Sequence, residues 1–253
     1  MFPLYDDNPR LGWPWLTAAL IALNVLAWVF VQQLGTEHGL ASSMCQFGLI
    51  PGDLLGTVPV GLRVPLSKTL ACVLEGDASW LTLLSSMFMH GGWMHIIGNM
   101  WFLWVFGDNV EDVMGPVRYV VFYLASGLAA AFAQIVSDPS SAVPMVGASG
   151  AIGGVMGAYA RLYPRAQVQT LLFLGFFVTR IRVPALLMLG YWFLIQVLSG
   201  LPALGSRDGS VAFWAHVGGF VAGAGLSFVL VDPRRRASQR RLALHGPSGG
   251  RWL

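Results

Sequence analysis

Charge is scarce in this chain. Of its 253 residues only 11% are Asp, Glu, Lys or Arg, and 55% are hydrophobic, whereas a soluble domain carries roughly 25% charged residues. That balance excludes water as the main solvent, and no nucleic-acid partner is expected. Cysteine is nearly absent too. Cys45 and Cys72 are the only two, too few for a disulfide framework, and they read either as two free thiols or as one bridge in an oxidising compartment. No HExxH, no CxxC and no carboxylate accompanies His90, His95 and His216, which argues against a metalloprotease site. No metal or organic cofactor is expected. The paired outer-leaflet aspartates of an aspartyl intramembrane protease are missing. So is any inverted repeat or matched pair of broken helices of the kind a transporter would show. Met1 to Arg10 has no basic n-region and no small-residue cleavage pattern, so the first apolar run reads as a retained helix.

What the chain does have is long apolar runs, with a mean hydropathy of +0.64. A bilayer core about 30 Å thick needs roughly 20 apolar residues per helical crossing. Six runs qualify: Trp13 to Leu34, Trp93 to Val113, Val117 to Val136, Val146 to Tyr163, Val183 to Leu198 and Val211 to Val231. Val168 to Val178 is apolar but too short to span, and is expected to be re-entrant or interfacial. The expected organisation is a cytoplasmic N-terminus at 1–12, one all-α membrane domain at 13–231, and a basic, disordered tail at 232–253 attracted to the membrane surface.

Orientation follows from the basic residues. Arg10, Arg118, Arg161, Arg165, Arg180, Arg182 and six tail arginines fall on one side; Arg63, Lys68 and Arg207 fall on the other. Twelve against three places both termini in the cytoplasm, and the second, fourth and sixth runs then enter from the outer face. One lysine among many arginines and tryptophans suggests a GC-rich bacterial genome, hence a bacterial plasma membrane.

The chemistry-bearing residues sit near that outer face. Ser149 lies in Gly147-Ala148-Ser149-Gly150, just after the turn cluster Ser137-Asp138-Pro139-Ser140-Ser141 and Pro144. At a helix start its hydroxyl would lie beside free N–H groups that stabilise an oxyanion, although Gly and Ser are also ordinary packing residues in membrane helices. His216 lies about five residues into the sixth run. An ionisable side chain inside a span is costly and points to function, against the plainer reading of a neutral histidine bonded to a neighbouring helix. Gly150, Gly153, Gly154 and Gly157 on one run, and Gly219 and Gly223 on the other, permit close helix approach. Ser149 and His216 could therefore meet as nucleophile and general base. His95 and Asn99, four apart, share one helical face as two neutral donors for an oxyanion. His90 is either a supporting hydrogen-bonder or an interfacial residue. Asp108, Glu111 and Asp112 are expected to face the cytoplasm, capping or pairing with Arg118, and Asn109 and Gln134 to form interhelical hydrogen bonds.

Taken together, these residues resemble the rhomboid family of intramembrane serine proteases: His90 with the His95–Asn99 pair, the Gly147–Gly150 box, and Ala215-His216 with Gly219 and Gly223. The resemblance runs from about Trp13 to Val231. It implies a six transmembrane helix bundle with a long first outer loop, here Glu37 to Ser79, and a Ser149–His216 dyad without an acidic third member. It also implies an oxyanion hole of His95, Asn99 and the Ser149 N–H, and lateral access for transmembrane protein substrates past the fifth helix. A silent client-binding protein of the same fold is the alternative. Two positions depart from the family pattern. Trp80-Leu81 stands where a Trp-Arg pair is common, and Gly153 stands where an aromatic can stack beneath the histidine, which leaves the orienting of His216 open.

Overall fold

The computed structural model describes residues 2–67, 69–174, 177–203 and 211–245. Lys68, Arg207, Arg251 and the end of the tail, which entered the charge count, lie outside the described residues. The fold is mostly helical, but it is not all-α: two small antiparallel sheets accompany the helices.

Strand β1 (Phe2–Asp6) precedes α1 (Trp15–Leu26), which continues through a wider turn at Ala27–Val31. Then come α2 (Glu37–Phe47), α3 (Pro51–Leu54), the hairpin strands β2 (Arg63–Pro65) and β3 (Ala71–Val73), and α4 (Thr82–Ser85). Cys45 and Cys72 form a disulfide across this segment, with Cα atoms 5.5 Å apart. Trp80 and Leu81 are both exposed. The long helices follow: α5 (Trp93–Met114), α6 (Pro116–Ser137) and α7 (Ser149–Leu162). Strands β4 (Gln167–Leu174) and β5 (Phe177–Pro184) lead into α8 (Ala185–Ala203), α9 (Phe213–Leu230) and α10 (Pro233–His245). Three of these, α6, α8 and α9, are long and apolar enough to cross a membrane, and Trp15–Val31 is a shorter apolar helix.

Local chemistry explains the element ends. Gly115 takes φ +76°, donates its N–H to the Glu111 carbonyl at 2.7 Å, and is followed by Pro116 at the first position of α6. A left-handed glycine ends one helix and a proline pre-set for helical φ starts the next. Helix α7 lies at the centre of the bundle. Every residue but Ser149 and Arg161 in it is buried, as expected of a helix that is small and apolar all round. It meets α9 so closely that a methyl at Gly219 would overlap the Gly150 carbonyl oxygen, and one at Gly223 the Gly154 carbonyl.

Three expectations are corrected. Within the 168–178 segment, residues 168–174 lie not in a re-entrant loop but in β4, the middle strand of a sheet ordered β1-β4-β5, and residues 177–178 begin β5; Asp6 stands opposite Val168 and Gln167 opposite Pro184. Pairing satisfies backbone groups that an eleven-residue apolar stretch could not have satisfied alone. The tail is helical at α10, held by hydrogen bonds from Gln239 to the Pro9 carbonyl (3.3 Å) and to Asn109 (3.1 Å). The acidic residues of α5 are buried rather than facing solvent. Glu111 accepts from the N–H groups of Leu16 (3.0 Å) and Thr17 (2.8 Å) and from the Thr17 hydroxyl (2.8 Å). A carboxylate from one helix thus caps the positive N-terminus of another. Asp112 accepts from the Leu11 N–H at 2.6 Å and Asp108 pairs with Arg10 at 3.2 Å, while Arg118 pairs instead with Asp232 at 3.3 Å.

Candidate active site

Ser149 is the first residue of α7, whose N-terminus has no side-chain cap. The backbone donors of that first turn therefore have no intrahelical partner. Gly147, two residues earlier, sits at φ +127° and is anchored by its N–H to the Ser86 carbonyl at 2.9 Å. A methyl there would lie 2.7 Å from His95 Nε2, so the turn that presents the serine also requires a glycine against this imidazole. Gly150 answers a different need: a methyl at this position would press on the Ala130 side chain at 2.6 Å.

The close contact of α7 with α9 brings Ser149 and His216 together. Ser149 Oγ and His216 Nε2 are 2.8 Å apart. The other imidazole nitrogen, Nδ1, is 2.8 Å from Gln196 Oε1 of α8. The Trp192 ring, one turn earlier on α8, lies against the His216 ring with centroids 5.7 Å apart and planes inclined at 40°. Neither α8 residue was singled out from the sequence. Gln196 is the lone amide in the apolar run from Val183 to Leu198, which was the available signal.

His95 and Asn99 come from α5 and line the same cavity as Ser149 and His216, a space of about 590 Å³. The Gly91 N–H donates to His95 Nδ1 at 3.2 Å, which leaves Nε2 as the N–H donor on the side of Gly147. Asn99 is buried, and among the described residues its Nδ2 has no hydrogen-bond partner. A buried amide donor left unfilled costs stability and is the kind of group that an oxyanion would satisfy. His90 is fully buried rather than interfacial. Its backbone is clasped at both N–H and C=O by the Gln32 side chain, each contact 2.7 Å, and its ring packs edge-on against His95 with centroids 5.1 Å apart. Gln134 also lines the cavity and accepts from the Ala215 N–H at 3.3 Å, an interhelical bond as expected. Among the described residues no group of three or more metal-ligating side chains occurs.

A Rhomboid domain is matched over residues 77–233. The relatives include Rhomboid protein 1, mitochondrial, of Saccharomyces cerevisiae, 28% identical over 69% of this chain and 48% of its own length. Rhomboid protease GluP of Bacillus subtilis is 32% identical over 70% of this chain and 31% of its own length. RHOMBOID-like protein 4 of Arabidopsis thaliana is 28% identical over 88% of this chain and 54% of its own length. The chain belongs to the rhomboid family, a family of membrane proteins that includes intramembrane serine proteases. It spans about half or less of the length of these three relatives.

Proposed function

We propose that this protein is a serine endopeptidase that cleaves transmembrane segments of other membrane proteins near the outer membrane face. The observation that carries the reading is the 2.8 Å Ser149 Oγ–His216 Nε2 contact in a cavity shared with the unfilled Asn99 donor. A substrate helix unwinds at its outer end and presents a carbonyl carbon to Ser149. His216 Nε2 takes the hydroxyl proton as Oγ attacks, and then returns it to the leaving amine. Negative charge on the former carbonyl oxygen is met by Asn99 Nδ2, His95 Nε2–H and the Ser149 N–H. Water admitted from the outer face attacks the acyl-enzyme, again with His216 as base. Helical carbonyls are already hydrogen-bonded, so substrates with Gly, Pro or polar residues at this depth unwind more readily and are cut faster.

The membrane arrangement belongs to the same proposal. Six crossings are made by Trp15–Val31, α5, α6, α7, α8 and α9, with both termini in the cytoplasm of a bacterial cell. Helix α7 has only 14 residues, about 21 Å of rise, and lies inside the bundle rather than against lipid. The disulfide between α2 and β3 supports placing the segment from Glu37 to Ser79 on the outer, oxidising side.

The test is cleavage of a reporter transmembrane substrate by purified wild type, Ser149→Ala and His216→Ala, each checked for folding. Cleavage by wild type and its loss in both folded variants supports the dyad. Cleavage by Ser149→Ala at the wild-type rate would sink it, and capture of the substrate without cleavage by any of the three would favour a silent client-binding protein.

A further inference from the structure

Family members can place an aromatic side chain beneath the catalytic imidazole from the serine helix, and this chain has Gly153 there instead. A methyl on Gly153 would already stand 3.1 Å from the His216 carbonyl oxygen and 3.5 Å from the Phe220 N–H nitrogen. These are backbone atoms of α9, so even a methyl would need the two helices to give by a few tenths of an ångström. Helix α8 nonetheless gives the imidazole two neighbours: the Trp192 ring, its plane inclined at 40° to the imidazole, and the Gln196 amide at Nδ1, the nitrogen not facing Ser149.

We propose that Gln196 is the positioning residue of this active site: its Oε1 accepts the His216 Nδ1–H, which keeps the Nε2 lone pair facing Ser149. The inference rests on the protease reading of the same site and extends it to a third, uncharged member. The amide's orientation is set locally. Gln196 Nε2 donates to the Trp192 carbonyl one turn earlier at 3.4 Å, which turns Oε1 toward His216 at 2.8 Å. A carbonyl oxygen only accepts, so Nδ1 must carry the proton. Neutral imidazole has one N–H, so Nε2 is then the acceptor for the Ser149 hydroxyl at 2.8 Å. That is the tautomer a general base requires.

The choice of an amide has a physical reason. Gln196 is buried, at 7% exposure, in a helix apolar enough to cross a membrane. An ionised carboxylate there would pay a large desolvation cost, whereas an amide supplies the same acceptor without charge. It therefore orients the base but does little to stabilise the imidazolium. Among the described residues, the titratable side chain lining the cavity with His216 is His95 of α5.

The experiment uses full-length protein labelled with ¹⁵N-histidine in micelles, with the His216 signals assigned by difference against His216→Ala. The imidazole ¹⁵N shifts report which nitrogen carries the proton. Wild type and Ser149→Ala should show the Nδ1–H form, Gln196→Leu a mixture, and Gln196→Glu the Nδ1–H form again. In the cleavage assay Gln196→Leu should lose about 10- to 100-fold in kcat with KM nearly unchanged, less than the roughly 10²- to 10⁴-fold that the base itself supplies. Gln196→Glu should recover most of that loss. An unchanged tautomer in Gln196→Leu overturns the proposal, as does a kcat loss in Gln196→Leu that Gln196→Glu does not restore. If wild type cuts no substrate, the shifts still decide the role of Gln196, so the two readings fail separately.

Discussion

The two ends of the helix bundle treat buried polar groups in opposite ways. Around the N-terminal strand, such groups are matched to partners. Asp6 accepts from Tyr159 and Asn109, Asn8 donates to Tyr159 at 2.7 Å, and the single Tyr163 hydroxyl proton is shared between Gln239 and, at 3.1 Å, the Asn109 carbonyl. With Glu111 and Asp112 on the start of α1, this network ties the N-terminal segment, α5, α7 and α10 together. A satisfied buried network of this kind rigidifies and specifies packing. Around Ser149 the polar groups instead border a cavity of about 590 Å³, and at least one donor, on Asn99, is left open. Chemistry needs the second arrangement and the first holds it in register, because α5 and α7 each contribute to both ends.

Removing reactive atoms should separate the two ends most sharply. Ser149→Ala should abolish cleavage, with a rate loss of at least about 10⁴-fold, while the midpoint of thermal unfolding stays where it was. Next in size, Asn99→Ala should lower kcat by about 10²- to 10³-fold and leave stability unchanged or slightly raised, since an unfilled donor is removed. A stability loss comparable to that of a core substitution would show that Asn99 is structural. At the opposite end the sign should reverse. Glu111→Ala leaves the Leu16 and Thr17 N–H groups and the Thr17 hydroxyl without their acceptor, and should cost about 1–3 kcal/mol in unfolding free energy with only an indirect effect on kcat.

The smallest effect is on pH dependence. Burial first, and then the nearby Asp108 charge, raise the Asp6 carboxyl above its ordinary value. Between that ordinary value, near 4, and the raised native one, the unfolded chain has lost a proton that the native state keeps. Stability should therefore fall as pH rises through this window and level off above it. Asp6→Asn should flatten that slope in pH-dependent unfolding, and a steeper decline in the variant would contradict the assignment.

Much of the site was legible because its signals are local. An ionisable His216 in an apolar run, a serine in a glycine box after a turn cluster, and His95 and Asn99 at a spacing of four each carry their meaning in a few residues. The small residues of α7 and α9 announced a close approach, and in the structure a methyl at Gly219 would overlap the Gly150 carbonyl. The acidic residues of α5 were misread for the opposite reason. Asp108, Glu111 and Asp112 look like a solvated helix end until the start of α1, some 95 residues away in sequence, is folded over them. The strand at 167–174 was missed because a short apolar run does not announce its pairing: β4 pairs with the adjoining β5 and with β1 at the far N-terminus, and that pairing makes an extended conformation worthwhile there.

The sequence by itself pointed to the solvent, the family and the pair proposed to react, because hydropathy, spacing and the types of side chain are properties of short stretches. Only the tertiary structure decided what orients His216, whether Cys45 and Cys72 join, and where the buried carboxylates find their donors. Each of these depends on two distant segments arriving within about 3 Å of each other at hydrogen-bond geometry, or on Cα atoms coming to 5.5 Å across a bridge, and no local pattern encodes such a distance. Gln196 shows the division most clearly. Its lone polarity within an apolar helix was visible from the start, but its role exists only because α8 packs beside α9 and sets an amide oxygen 2.8 Å from an imidazole nitrogen.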